Sequence, residues 1–120
     1  MSQNEGKLIR GPEVKGVEPV PGIVERWLLN KETPTQDLSL AMVEVGPGKS
    51  SGLHRHSVEE AFFILSGQGR ARVGDASHEL SQHSCLYLTA NTPHDIQCTG
   101  DEPLRFIIVL TGAQFETEWL

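Results

Sequence analysis

Short apolar segments separated by turn residues are the feature that most constrains the fold of this chain. Glycine- or proline-containing stretches, such as 46–48, 67–69 and 100–103, interrupt the sequence between most of these segments. Gly74-Asp75 is typical of a two-residue β-hairpin turn. No long helical period is present, so the pattern predicts an all-β barrel or sandwich. The predicted strands are residues 23–29, 38–45, 52–56, 61–65, 70–73, 76–80, 85–88, 95–98 and 104–110.

The chain of 120 residues is long enough for one domain with its own core and too short for two. Residues 1–22 contain three prolines and four glycines, which predicts an extended arm rather than a helix or an interior strand. Residues 23–111 are expected to form the barrel. Residues 112–120 form a tail whose pattern fits a helix and a strand equally well.

Acidic residues outnumber basic ones, 16 to 10, which gives a formal net charge of −6. Nucleic acids and anionic membranes are bound mainly by cationic patches, so a small molecule is the favoured partner. No apolar run approaches the roughly 18–20 residues of a membrane span, and residues 1–6 lack the features of a signal peptide. We therefore expect a cytoplasmic protein in which Cys85 and Cys98 remain thiols.

Two histidines and a carboxylate stand close together in the middle of the sequence. His54 and His56 project from the same side of an extended strand, about 6.6 Å apart along the backbone. Glu60 follows a short reversal at 57–59 and would face the two histidines across a hairpin. Two imidazoles and a carboxylate that converge in this way predict a metal site.

The stretch also has glycines at its two ends, so that its spaced residues are Gly48, His54, His56, Glu60 and Gly67. This spacing resembles the first signature of the cupin superfamily, and each fixed position of that signature is matched. The resemblance implies a small double-stranded β-helix, a jelly-roll barrel, over about residues 23–111, with the metal inside it. The second cupin signature would fall on residues 83–98, where only its histidine, His94, is kept. The resemblance thus implies four metal ligands: His54, His56, Glu60 and His94.

The second signature differs from the family pattern at its turns. His83 and Asn91 stand where the family has glycine, and both residue types tolerate positive φ. Thr89 replaces a proline, and Cys98 replaces the closing asparagine. These differences change the shape of the loops and hence the identity of the substrate.

Several other residues compete for a place in the site. Glu59 is the alternative to Glu60, but it would need a β-bulge to reach the same face. Tyr87 is a possible pocket acid, although a core position with a satisfied hydroxyl is favoured, and Cys98 is expected to line the interior wall. Whether either one lines the pocket stays open. We expect Arg55, Arg70 and Arg72 to point outward and His78 to be solvated. Trp27 and Trp119 are expected in the core or at an interface, outside the ligand pocket.

Three imidazoles and one carboxylate fit iron(II), manganese(II) or nickel(II), with zinc and copper as alternatives. The favoured function is a metal-dependent enzyme, a dioxygenase or else a lyase or isomerase, acting on a small oxygenated compound that chelates the ion. The alternative is a ligand-binding or sensing module without turnover, which the lack of an obvious general base favours. A metal-free barrel and a zinc hydro-lyase of another β fold are disfavoured by the complete ligand set, including Glu60.

The segments 61–65 and 106–110 are apolar on both faces. Strands of this kind need cover outside the barrel as well as inside it. The arm, the tail or a second subunit could supply that cover, and the resemblance to small cupins favours a homodimer.

Overall fold

The computed structural model describes residues 6–33, 35 and 37–120. Within these residues the chain forms eleven β-strands, a short 3₁₀ turn at Gly11–Glu13 and no α-helix. None of the described segments is therefore a helix of the length and apolar character needed to cross a bilayer. The strands are β1 (Val17–Val20), β2 (Ile23–Leu29), β3 (Leu38–Val45), β4 (His54–His56), β5 (Glu60–Ser66), β6 (Gly69–Val73), β7 (Ala76–Leu80), β8 (Cys85–Leu88), β9 (His94–Cys98), β10 (Leu104–Thr111) and β11 (Thr117–Trp119).

The strands form two antiparallel sheets. One has six strands in the order β1-β2-β3-β10-β5-β8, and the other has five in the order β11-β4-β9-β6-β7. From β3 to β10 the chain passes back and forth between the sheets, with β6 and β7 the only consecutive pair that stays in one of them. This connectivity is that of a jelly roll, so the predicted double-stranded β-helix is confirmed.

The core follows from the alternation of side chains along the strands. Alternate residues from 39 to 45 on β3 and from 104 to 110 on β10 are buried, because successive side chains of a strand point to opposite faces. Strand β10 pairs with both β3 and β5 and so occupies the middle of the larger sheet. Ile64 on β5 and Leu104 and Leu110 on β10 are fully buried in the core.

The predicted strands agree with the observed ones to within two residues at each end. Segments outside residues 23–111 also pair: β1 is the edge strand next to β2, and β11 is the edge strand next to β4. Residues from the predicted arm and from the predicted tail thus each add one strand to a sheet.

Three turn positions have positive φ for identifiable reasons. His83 (φ 70°) and Asn91 (φ 64°) take the left-handed conformation, which both residue types tolerate and which suits positions where the family has glycine. Gly67 has φ 89°, and a Cβ atom there would lie 2.5 Å from the carbonyl oxygen of Pro103. Glycine is therefore required at this position of the motif, both for its backbone conformation and for the space it leaves.

Candidate metal centre

Three strands bring the motif residues together. His54 and His56 lie on β4, His94 begins β9, and Glu60 begins β5. His54 and His94 are direct cross-strand partners in the smaller sheet. His94, Glu60 and His54 are buried, at 0%, 3% and 7% exposure, because the barrel closes around them.

The predicted hairpin between the strands of His56 and Glu60 is wrong. Strand β4 pairs with β9 and β11, whereas β5 pairs with β8 and β10 in the other sheet. Residues 57–59 therefore cross from one sheet to the other, and Glu60 approaches the histidines across the barrel interior. Glu59 points away, where its carboxylate accepts a hydrogen bond from the Tyr87 hydroxyl at 2.8 Å.

The three imidazoles converge on a small volume, and the Glu60 carboxylate lies beside two of them. One nitrogen from each of His54, His56 and His94 lies within 4.8 Å of the other two. The Glu60 carboxylate is 3.0 Å from His94 Nε2 through one oxygen and 3.5 Å from His56 Nε2 through the other. The three histidines could hold a metal ion.

Hydrogen bonds to Nδ1 orient the three imidazoles. The Nδ1 atoms of His54 and His94 lie 2.8 and 2.9 Å from the carbonyl oxygens of Gly52 and Thr92, respectively. Because a carbonyl only accepts, Nδ1 carries a proton in both rings, and Nε2 is the nitrogen left to face the centre of the site. His56 Nδ1 is 2.9 Å from Thr117 Oγ1 on β11. These partners were not predicted, although in two cases the carbonyl belongs to the residue two positions before the histidine.

Burial keeps two of the imidazoles neutral. Burial and, to a smaller extent, the neighbouring histidines lower the pKa of both His54 and His56 to about 4. For His54 the hydrogen bond to Gly52 and the charge of Glu60 oppose this shift without overcoming it. Both rings are therefore neutral near pH 7, which is the form that binds metals.

The polar atoms at the centre of this cluster lack partners. His94 Nε2 and Glu60 Oε2 are buried and make no hydrogen bond to any of the described residues. The distance from His94 Nε2 to Glu60 Oε1 is 3.0 Å, but these two atoms do not form a hydrogen bond. Unpaired buried polar atoms are costly, so the donor set fits a bound cation that would pair with both.

The other residues weighed from the sequence lie outside this cluster. Arg55 points outward and pairs with Glu118 at 2.9 Å. Tyr87 is 58% exposed, so the favoured core position for it is wrong, although its hydroxyl is satisfied by Glu59. Cys98 is buried in the core, and its thiol donates to the carbonyl oxygen of Glu102 at 3.2 Å.

A cavity of about 280 Å³ lies between the sheets and is lined in part by His54 and His56. Trp27 and Trp119 also line it, so the prediction that both stay outside the ligand pocket is wrong. The indole of Trp119 lies 4.9 Å from the His54 ring, because β11 pairs with β4 and places Trp119 opposite His54. Glu25 on β2 lines the same cavity and was missed, since nothing in its local sequence distinguishes it from a surface residue.

The fold and the site together define a small jelly-roll protein with three histidines that could bind a metal. A family model described as "Cupin domain" matches residues 41–110, and the chain belongs to the cupin family.

Individual proteins agree with this assignment. An oxalate-binding protein of Thermotoga maritima is 28% identical over 118 residues, covering 92% of this chain and 98% of its own. An uncharacterized protein of Methanocaldococcus jannaschii is 33% identical over 70 residues, covering 58% of this chain and 56% of its own. The structure of the polyketide cyclase RemF from Streptomyces resistomycificus is similar in fold, with a TM-score of 0.83, 19% identity and coverage of 97% of this chain and 86% of its own. The chain spans about half the length of several curated relatives that it matches.

Proposed function

We propose that the protein binds one divalent metal ion per chain through His54, His56, Glu60 and His94, and that it is a metal-dependent enzyme. Its substrate is a small oxygenated compound that enters the barrel and chelates the ion. The observation that carries this proposal is the pair of buried atoms without hydrogen-bond partners, His94 Nε2 and Glu60 Oε2, at the point where three imidazoles converge.

The donor set favours particular metals. Three neutral nitrogens and one carboxylate oxygen, without cysteine, suit iron(II), manganese(II) or nickel(II), with zinc or copper as alternatives. When bound, the ion would supply a Lewis acid or a centre for activating dioxygen. The protein's own contribution is to fix the rings through Gly52, Thr92 and Thr117, which makes the site specific in geometry.

The cavity beside the site favours an enzyme over a structural metal site. Its aromatic walls would exclude water from a bound substrate and hold it against the histidines. Glu25 adds a carboxylate to the cavity wall, where the sequence had offered no obvious general base. A dioxygenase is the first choice of reaction, and a lyase or isomerase is the second.

A binding module without turnover is the second candidate function. It is favoured by the Thermotoga maritima relative, which is named an oxalate-binding protein and matches this chain over nearly its whole length. In this alternative the same four residues hold the metal, and the ligand leaves the cavity unchanged.

The function is tested first by metal content, measured by mass spectrometry on untagged protein, and then by oxygen uptake with a panel of catechols and hydroxy acids. Near-stoichiometric iron or manganese with oxygen consumed would support a dioxygenase. Metal without oxygen uptake, but with product detected by NMR, would support a lyase or isomerase. Metal and a ligand recovered unchanged would favour the binding module, and no metal after reconstitution would contradict the proposal.

A homodimer formed through the outer apolar face of the larger sheet is also part of the proposal. This face consists of Leu40, Met42, Phe63, Ile107 and Val109, in which Ile107 pairs with both Met42 and Phe63. The segment at Gly11 packs against Met42, where a Cβ atom would lie 2.7 Å from the Met42 sulfur, so the arm covers one side of the face. Phe63 remains 42% exposed, and its burial by a second subunit would be favourable.

We expect Phe63→Glu to convert the dimer to a monomer, because each subunit would place a charge in the apolar contact. Sedimentation velocity would measure the change. Val17→Glu, at an exposed position on the edge strand β1, is the control and should remain dimeric. A wild-type protein that sediments as a monomer would contradict this part of the proposal.

A further inference from the structure

Aromatic rings form a continuous wall from the metal centre to the far side of the cavity. The Phe115 ring lies 5.3 Å from the His56 ring and 5.7 Å from the Trp27 ring, between ring centroids. Trp119 extends the wall next to His54, with 4.9 Å between ring centroids. Planar apolar surface of this kind binds a flat ring better than a small polar ion.

The charged groups on the cavity wall also restrict which ligands could bind. Glu25 lines it, and no lysine or arginine is found among the described residues that do so. The Trp27 indole Nε1 donates to Glu25 Oε1 at 3.2 Å, whereas Oε2 accepts no hydrogen bond within the described part of the chain. Burial raises the pKa of the Glu25 carboxyl, although the Trp27 hydrogen bond partly offsets this effect. One carboxylate oxygen is thus left for a donor on a ligand.

The size of the cavity sets a limit on the ligand. An apolar cavity of about 150 Å³ is sufficient to bind benzene, so a cavity of about 280 Å³ has room for a substituted ring or a pair of fused rings. A small dicarboxylate would leave most of the aromatic wall uncovered. Its two carboxylates would also bring two further negative charges into a cavity that already holds Glu25 and offers no lysine or arginine to pair with them.

We propose that the cavity binds an uncharged aromatic compound whose hydroxyl or N–H group donates to Glu25, and whose adjacent oxygens at the opposite end reach the metal centre. Glu25 is then the residue that selects for a hydrogen-bond donor on the ring. The contact between the ligand oxygens and the metal rests on the proposed function. The contacts with the aromatic wall and with Glu25 do not.

The part that does not need metal is tested with metal-free protein at pH 8, by equilibrium dialysis of 2-naphthol and 2-methoxynaphthalene. Both probes present the same rings, but only 2-naphthol can donate. We expect 2-naphthol to bind about tenfold or more tightly, as hydrogen bonds to charged groups typically contribute. The variant Glu25→Leu should abolish that difference while keeping the binding of 2-methoxynaphthalene.

The matched control is Glu44→Leu, a carboxylate on the neighbouring strand β3 that faces outward and pairs with Arg105. It should keep the preference for 2-naphthol, and far-UV circular dichroism would verify that both variants are folded. Equal affinities for the two probes in the wild type, or a preference that survives in Glu25→Leu, would overturn the inference.

The metal end is tested with manganese-loaded protein, 2,3-dihydroxynaphthalene and oxalate. We expect 2,3-dihydroxynaphthalene to bind at least about tenfold more tightly than oxalate, because only the former covers the aromatic wall. Tighter binding of oxalate would overturn the assignment of ligand class. A protein that takes up no manganese but still prefers 2-naphthol would refute the proposed function and leave the role of Glu25 standing.

Discussion

Replacing His56 with alanine is expected to abolish stoichiometric metal binding while the protein stays folded. The substitution removes one of three converging imidazoles at a position on the cavity wall. Glu60→Gln should also reduce metal binding strongly, because it removes the negative charge of the site. Wild-type protein should gain about 4 kcal/mol of stability at a metal concentration a thousandfold above its Kd. The variants should show almost no gain. Metal content by mass spectrometry and thermal unfolding with and without manganese would measure both effects.

Two nearby substitutions serve as controls. His78→Ala removes an exposed histidine on β7, and Glu59→Gln removes the exposed carboxylate next to Glu60. Both should bind metal as the wild type does. A His56→Ala protein with a full complement of metal would contradict the ligand assignment, and one that fails to fold would show that the site is structural.

Ile64→Ala is expected to destabilise the barrel by about 2–5 kcal/mol, as truncations in a close-packed core do. Ile64 is fully buried on β5, where it pairs with Phe106 of the neighbouring strand β10. The reason is the loss of apolar contacts together with the cavity that the missing atoms leave. Urea unfolding of metal-free protein, monitored by circular dichroism, would measure the difference in the free energy of unfolding.

Leu8→Ala is the control for this substitution, since it removes the same number of carbon atoms from a side chain that is 76% exposed. Its stability should remain within about 0.5 kcal/mol of the wild type. If Ile64→Ala cost no more than Leu8→Ala, the barrel core would not be the main source of stability. Together the two experiments distinguish metal binding, which should depend on His56, from the free energy of unfolding, which should depend on the core around Ile64.

The strands were predictable because their signals are local. Alternation of apolar residues along β3, the Gly74-Asp75 turn and the frequent glycines and prolines each act within a few residues. The positive φ of His83 and Asn91 fits their residue types and the glycines that the cupin signature has at these positions. The spacing of the cupin signatures then identified the histidines that meet in the structure, because a strand has a fixed period and a fixed direction for each side chain.

The pairing of the strands was not predictable in the same way. Glu60 reaches the histidines from the opposite sheet, because residues 57–59 cross the barrel instead of closing a hairpin. Which strands become neighbours depends on contacts between residues far apart in sequence, and no local pattern encodes them.

By itself the sequence determined the all-β fold and the approximate strand boundaries, since both depend on side-chain period and turn chemistry, and its resemblance to the cupin signatures singled out the three histidines that meet in the structure. Only the tertiary structure placed Trp119 beside His54, Thr117 against His56, and Glu25 with Trp27 on the wall of the cavity. These residues come from the two ends of the chain, and they share a site only because β2 and β11 fold onto the strands between them.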